Sequence, residues 1–158
     1  MSTPTQPLDA PDRRRLPPLL RKAWYGLNQA FRRRIKQHAA TPDQFTVLRQ
    51  LREGSADGLS QRDLGTLMSS DPNTIGALIS RMEELGLISR RQDERDKRAH
   101  RVTATAKGKA LYKKLRAIAL ALQSDVLSAI PEERHEQFLT DLETVAEACR
   151  KTAETLER

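Results

Sequence analysis

The chain has 158 residues, 37% apolar and only 4% aromatic, with 28 Lys and Arg against 21 Asp and Glu for a net charge of +7. That length suits one compact domain or one domain with a helical extension, and the lean apolar content still suffices for a core. No apolar run approaches the roughly 18 residues of a membrane helix, and no hydrophobic block follows the first arginines to serve as a signal peptide, so a cytoplasmic protein is expected. The single cysteine, Cys149, rules out an internal disulfide framework and a cysteine-cluster metal site.

The charge is uneven. Arg13 to Arg15, Arg21, Lys22, Arg32 to Arg34 and Lys36 load the first segment, and Arg81 to Arg101 and Lys107 to Arg116 load the middle. From Glu132 onward acidic residues outnumber basic ones. A basic front with an acidic tail points to a polyanionic partner for the front alone, although charge runs also occur on merely solvated surfaces.

In chain order, residues 1–15 are proline-rich without apolar period and read as a loose basic arm. A first helix begins near Pro17-Pro18, with Leu20, Ala23, Trp24, Leu27, Ala30, Phe31 and Ile35 on one face, and ends near Ala39-Ala40. Thr41-Pro42-Asp43-Gln44 is a capping box that starts a second helix, which turns Phe45, Leu48 and Leu51 inward and stops at Gly54. Leu59 reads as a stub of strand, and Ser60 to Asp63 as the cap of a short third helix carrying Leu64, Leu67 and Met68. Ser69-Ser70-Asp71-Pro72 ends that helix and opens a fourth, with Ser70 or Asp71 as the cap.

The fourth helix, residues 72–85, has two unlike faces. Ile75, Leu78, Ile79, Met82 and Leu85 form an apolar stripe, while Asn73, Thr74, Gly76, Ala77, Ser80 and Arg81 form a small, polar face nearly free of negative charge, with Glu83 and Glu84 appearing only late. A helix that slides into the DNA major groove needs such a face, because bulk would hold it off the bases and carboxylates would repel phosphates; an ordinary surface helix is the competing reading. Gly86 ends it. Leu87 to Arg91 and His100 to Ala104 then read as two strands of a hairpin whose tip is Gln92 to Ala99. Helix, turn, helix and hairpin make a winged helix-turn-helix, and the wing tip suits the phosphate backbone or a narrow minor groove, where Arg95 or Arg98 is favoured over lysine and Asp96 can hold an arginine in pose.

The chain resembles the MarR family of bacterial transcriptional regulators in Leu59 to Leu64, in Asn73 to Arg90, in the wing Asp93 to Ala99, and in Ala104-Thr105-Ala106-Lys107-Gly108 leading into a long helix. The resemblance spans about Leu19 to Leu156 and implies a homodimer on double-stranded DNA with a palindromic operator. It further implies a helical dimerisation region at residues 16–40 and 106–158, a winged helix-turn-helix at residues 41–105, and release by a small, often phenolic or aromatic ligand or by an oxidant. Many relatives carry a polar or basic residue where this chain has Gly76 and Ala77, and a leucine in place of Ala104. Fewer side chains then reach base edges. The peroxide-sensing cysteine that some relatives carry in the first helix is absent, and Cys149 is expected to be a small core or interface residue.

The expected fold is therefore mainly α with a small β-hairpin wing. Ser60, Gln61 and Ser70 are expected to donate to phosphates; Asn73, Thr74, Ala77, Ser80 and Arg81 to face bases or backbone; and Arg91, Arg95, Asp96 and Arg98 to serve the wing. The last third supports a dimer independently. Leu111, Leu115, Ile118, Leu122, Val126 and Leu127, then Phe138, Leu142, Val145, Cys149 and Leu156, trace helical stripes with no sheet to cover. By position in the family, Trp24, Tyr25, Asn28, Phe45 and Arg49 could line a ligand pocket, with core packing the competing role of Trp24 and Phe45. His38, His100 and His135 are scattered and no phosphate loop or nucleophile motif occurs, so neither an enzyme nor a bound cofactor or metal is expected. A regulator reading one operator and an architectural protein coating DNA without sequence preference remain the two readings.

Overall fold

The computed structural model describes residues 10–155; residues 1–9 of the expected arm and Leu156 of the expected last stripe lie outside them. In chain order the described residues form α1 (Leu16–Ile35), α2 (Pro42–Glu53), β1 (Leu59–Ser60), α3 (Gln61–Leu67), α4 (Pro72–Glu84), β2 (Ile88–Gln92), β3 (His100–Ala104), α5 (Ala106–Leu127) and α6 (His135–Thr155). The described residues are 69% helical. The strands make an antiparallel sheet in the order β1-β3-β2, with Leu59 opposite Val102 and Ile88 opposite Ala104. The stub at Leu59 thus becomes a third strand that ties the hairpin back to the helices.

Local chemistry sets the helix ends. Thr41 closes the start of α2 as a full capping box: its hydroxyl accepts the Gln44 N–H at 3.2 Å and its own N–H donates to the Gln44 side chain at 3.1 Å. Asp71, rather than Ser70, caps α4 by accepting the N–H groups of Asn73 and Thr74, each at 3.0 Å. α4 ends in a Schellman turn. Gly86 lies at φ +72, its N–H reaches the Glu83 carbonyl, and the Leu87 N–H reaches Met82. Thr105 then starts α5, its hydroxyl accepting the Gly108 N–H and donating to the Gly86 carbonyl at 2.6 Å.

The chain divides into two units, one up to Ala119 and one from Leu120. In the first, Val47, Leu48, Leu64, Ile75, Ile79, Met82, Leu87, Ile88 and Val102 form one buried core. α1 joins this unit through Phe31 and Ile35 only. On the continuous inward face expected of it, Ala23, Trp24 and Leu27 are exposed and Leu20 and Ala30 half-buried, so full burial is reached over its last turns alone. In the second unit, Ile130 closes the turn between helices, with its carbonyl 3.0 Å from the His135 ring. Along α6, Phe138 and Leu142 are 46% and 39% exposed and Cys149 is exposed. A core role for Cys149 within this chain is therefore overturned. No helix of the described residues is long and apolar enough to cross a membrane.

Candidate nucleic-acid interface

α4 is held against α3 by a tight turn. Ser69 sits at φ 50, the Ser70 N–H donates to the Gly65 carbonyl at 2.9 Å, and Gly65 is buried under Ser70 and Ile75. Ile75, Ile79 and Met82 fix the inner stripe of α4, which leaves Asn73, Thr74, Ala77 and Arg81 exposed and Gly76 and Ser80 half-buried on the other side. The carboxylates on this helix come only at Glu83 and Glu84.

Two expected donors are already engaged. The Ser60 hydroxyl accepts the Asp63 N–H and donates to the Asp63 carboxylate at 2.7 Å, so its proton is not free for a phosphate. The Thr74 hydroxyl donates to the Asp71 carboxylate at 2.5 Å. That bond, followed by the Thr74 N–H, holds Asp71 below the usual carboxylate range. Arg81 reaches Glu84 at 3.4 Å but both remain largely exposed.

The wing is anchored at its base and open at its tip. Glu83 accepts the Arg90 N–H and, at 2.9 and 2.5 Å, two guanidinium N–H groups, stapling α4 to β2. The Arg90 side chain is the main cause of the lowered Glu83 pKa. Arg101 donates to Asp93 at 2.7 Å and to the Gly58 carbonyl at 2.9 Å. Gly58 lies at φ +89 with Val102 so close that a Cβ would stand 2.3 Å from its carbonyl oxygen, which reserves the position for glycine. Arg91 donates to the Asp57 carbonyl at 3.1 Å, which makes it another anchor of the wing base.

Asp93 also orders the tip. It accepts the N–H groups of Arg95 at 2.8 Å and Asp96 at 3.3 Å, and its pKa is lowered first by the Arg95 N–H and then by Arg101. The arginine-holding carboxylate is therefore Asp93. Asp96, to which sequence reasoning gave that part, accepts the Arg98 backbone N–H at 2.9 Å. Asp93 and Arg101 were missed because they lie eight residues apart and meet only across the folded wing. With the loop backbone satisfied in this way, the side chains of Arg95, Lys97 and Arg98 point outward, exposed and without an ion pair among the described residues.

The candidate ligand residues do not share one site. Trp24, Tyr25 and Asn28 line an open cavity of about 710 Å³ beside α1, with Trp24 and Tyr25 each 67% exposed. Phe45 is buried between the rings of Phe31 and Tyr112, and Arg49 lies over its face. Core packing thus describes Phe45 and fails for Trp24. A larger cavity of about 910 Å³ lies between α2, the loop after it, β3 and α5. Leu48, Leu51 and Tyr112 supply its apolar wall, and Arg52, Lys113 and Arg116 its basic rim.

The MarR family model matches residues 40–100. One relative, the HTH-type transcriptional regulator BilQ of Clostridium symbiosum, is 31% identical over 90 residues, which make up 57% of this chain and 62% of that protein. The chain thus spans less than two thirds of that relative's length. Among solved structures, CouR from Rhodococcus jostii RHA1 bound to p-coumaroyl-CoA is 26% identical with a TM-score of 0.72, covering 81% of this chain and 89% of CouR. The S. aureus MepR–DNA complex gives a TM-score of 0.79 over 86% of this chain and 99% of MepR at 24% identity, a likeness of fold.

Proposed function

We propose that the chain, which matches the MarR family model over residues 40–100, is a cytoplasmic, non-enzymatic, homodimeric transcriptional regulator of that kind, a repressor that binds a palindromic operator in double-stranded DNA. α4 enters the major groove and the wing tip reaches the neighbouring minor groove. The observation that carries this reading is the juxtaposition of a small, polar helix face, whose carboxylates come only at its end, with a wing whose arginines divide into anchored and outward-facing sets. An ordered backbone that presents Arg95 and Arg98 to solvent is preorganised for phosphates or the minor groove, since no protein contact must break first. The second chain covers the apolar residues of α1 and α6 that stay wet in a single chain, Leu16, Leu19, Phe138 and Leu142 among them.

The ligand that releases the DNA is assigned to the larger cavity. CouR is described as bound to p-coumaroyl-CoA, and a cavity with an apolar wall of Leu48, Leu51 and Tyr112 and a rim of Arg52, Lys113 and Arg116 suits an amphipathic anion of that general kind. Trp24, Tyr25 and Asn28 are assigned to the dimer contact instead. Exposed Arg32 to Arg34 on α1 favour the architectural alternative, because they add positive charge away from α4.

A binding titration at fixed salt separates the two, comparing random duplex with fragments flanking the protein's own gene. A preference of about 10³ for one fragment, saturating at two chains per site, supports the regulator. Equal and steeply salt-dependent binding to every fragment moves the architectural reading ahead of it.

A further inference from the structure

The groove face of α4 has a gap in its polar lining. Asn73 and Ser80 carry polar tips about one turn to either side, but Gly76 and Ala77 between them have no side-chain donor or acceptor. Thr74, the other hydroxyl on this face, is bonded to Asp71. Into this gap comes a side chain from a different helix. A Cβ built on Gly76 would stand 3.2 Å from the carboxamide nitrogen of Gln61, and it would meet no other atom within 4 Å outside the backbone of its own helix. Gln61 and Gly76 are both half-buried, and the Gln61 carboxamide has no hydrogen-bond partner among the described residues.

We infer that Gln61 reads a base edge across the space that Gly76 leaves open, so that α3 supplies the donor and acceptor that the middle of α4 lacks. A carboxamide offers both at once, the pattern that matches N6–H and N7 of adenine in the major groove. A phosphate contact by Gln61 would need no gap at Gly76; the gap matters only if the carboxamide lies over the groove face of α4. The feature is the side chain and its seat, since the Asp63 N–H at the start of α3 is already taken by Ser60. Being uncharged, Gln61 adds discrimination without adding the salt-dependent affinity of a cation. The inference rests on the DNA-binding reading above and adds to it a residue that sets sequence preference.

The test is selection of binding sites from a random duplex library by the full-length parent, Gln61→Ala, Gly76→Ala and the double variant, followed by titration on selected and random duplexes. Gln61→Ala is expected to lose preference at one base pair in each half-site and roughly tenfold in affinity for the parental motif, with random-duplex binding unchanged. Gly76→Ala is expected to weaken preference at the same base pair, because its Cβ, 3.2 Å from the carboxamide nitrogen, forces the carboxamide to shift by a few tenths of an ångström. Its melting temperature should hold or rise, because alanine is the better helix former, and this separates the effect from damage to the fold. The double variant should be no worse than Gln61→Ala. Equal losses on selected and random duplexes would make Gln61 a phosphate contact and overturn the inference. A parental motif retained in full by Gln61→Ala would overturn it while leaving the regulator reading intact, whereas a parent that selects no motif would overturn both.

Discussion

α4 and α6 carry apolar stripes of the same helical spacing, and the two stripes meet opposite fates. On α4, Ile75, Ile79 and Met82 are 2%, 0% and 0% exposed, closed over by α3, α2 and the sheet. On α6, Phe138 and Leu142 remain 46% and 39% exposed. Periodicity establishes that a helix has an apolar face, and it says nothing about which surface covers that face. The winged region closes on its own residues, while α6 carries a face that a second chain is proposed to close.

The largest expected effect separates these two fates. Ile79→Ala removes a fully buried side chain and should cost about 2 to 5 kcal/mol in chemical denaturation, independent of protein concentration. Leu142→Ala should cost under about 0.5 kcal/mol in dilute solution, where the chain is single. At concentrations where chains pair its cost should grow, because dimer stability depends on protomer concentration. A Leu142→Ala cost that is large and indifferent to dilution would break the comparison.

Within the wing the same contrast recurs between anchored and outward-facing arginines. Arg98→Ala should lose about 1 to 3 kcal/mol of DNA binding with the melting temperature unchanged, since only its backbone N–H is held within the protein. Arg101→Ala should lower the melting temperature as well, since it releases Asp93 and the Gly58 carbonyl together. Equal melting temperatures for the two variants would mean that the wing base does not depend on its anchors. An Arg98→Ala protein with parental affinity would remove the wing tip from the interface.

What could be read from sequence was what is encoded within a few residues. The Thr41 to Gln44 box, the Asp71-Pro72 start and the Thr105 start each depend on side chains bonding to backbone two or three residues away, the Gly86 stop depends on a left-handed backbone closed by its own N–H, and together they delimit the winged region. The pairings that position the wing escaped because they join distant positions: Glu83 with Arg90, Asp93 with Arg101, and Arg91 with the Asp57 carbonyl. Several carboxylates lie near each arginine in sequence, and only the packing of α4 and of the loop before β1 against the hairpin, with the register of β2 against β3, decides among partners. The seat of Gln61 on Gly76 is of the same kind. Trp24 shows the converse, a residue placed by its spacing on an inward face that the described residues leave 67% exposed.

The smallest effect contrasts a directional cap with a mobile ion pair at the two helices first compared. Glu147 on α6 bonds Arg150 at 2.6 Å and lies 3.5 Å from Lys151, and Arg150 also pairs with Glu154. Arg150 chiefly, and Lys151 after it, hold the Glu147 carboxyl at about 2 instead of 4.5. A folded-state pKa below the unfolded value stabilises the folded chain above about 4.5, and the contribution is lost as pH falls through about 2. Glu147→Gln should therefore lower the melting temperature slightly at neutral pH and match the parent near pH 2. About 0.5 M salt at neutral pH should also erase the difference, because the pair is exposed and screened. Asp71→Ala on α4 should behave otherwise: the bonds from the Thr74 hydroxyl and the Asn73 and Thr74 N–H groups are short and directional, so its loss should persist in high salt. Melting curves of both variants across pH and salt make the check, and a salt-insensitive loss at Glu147 would show that α6 is held there by more than exposed charge.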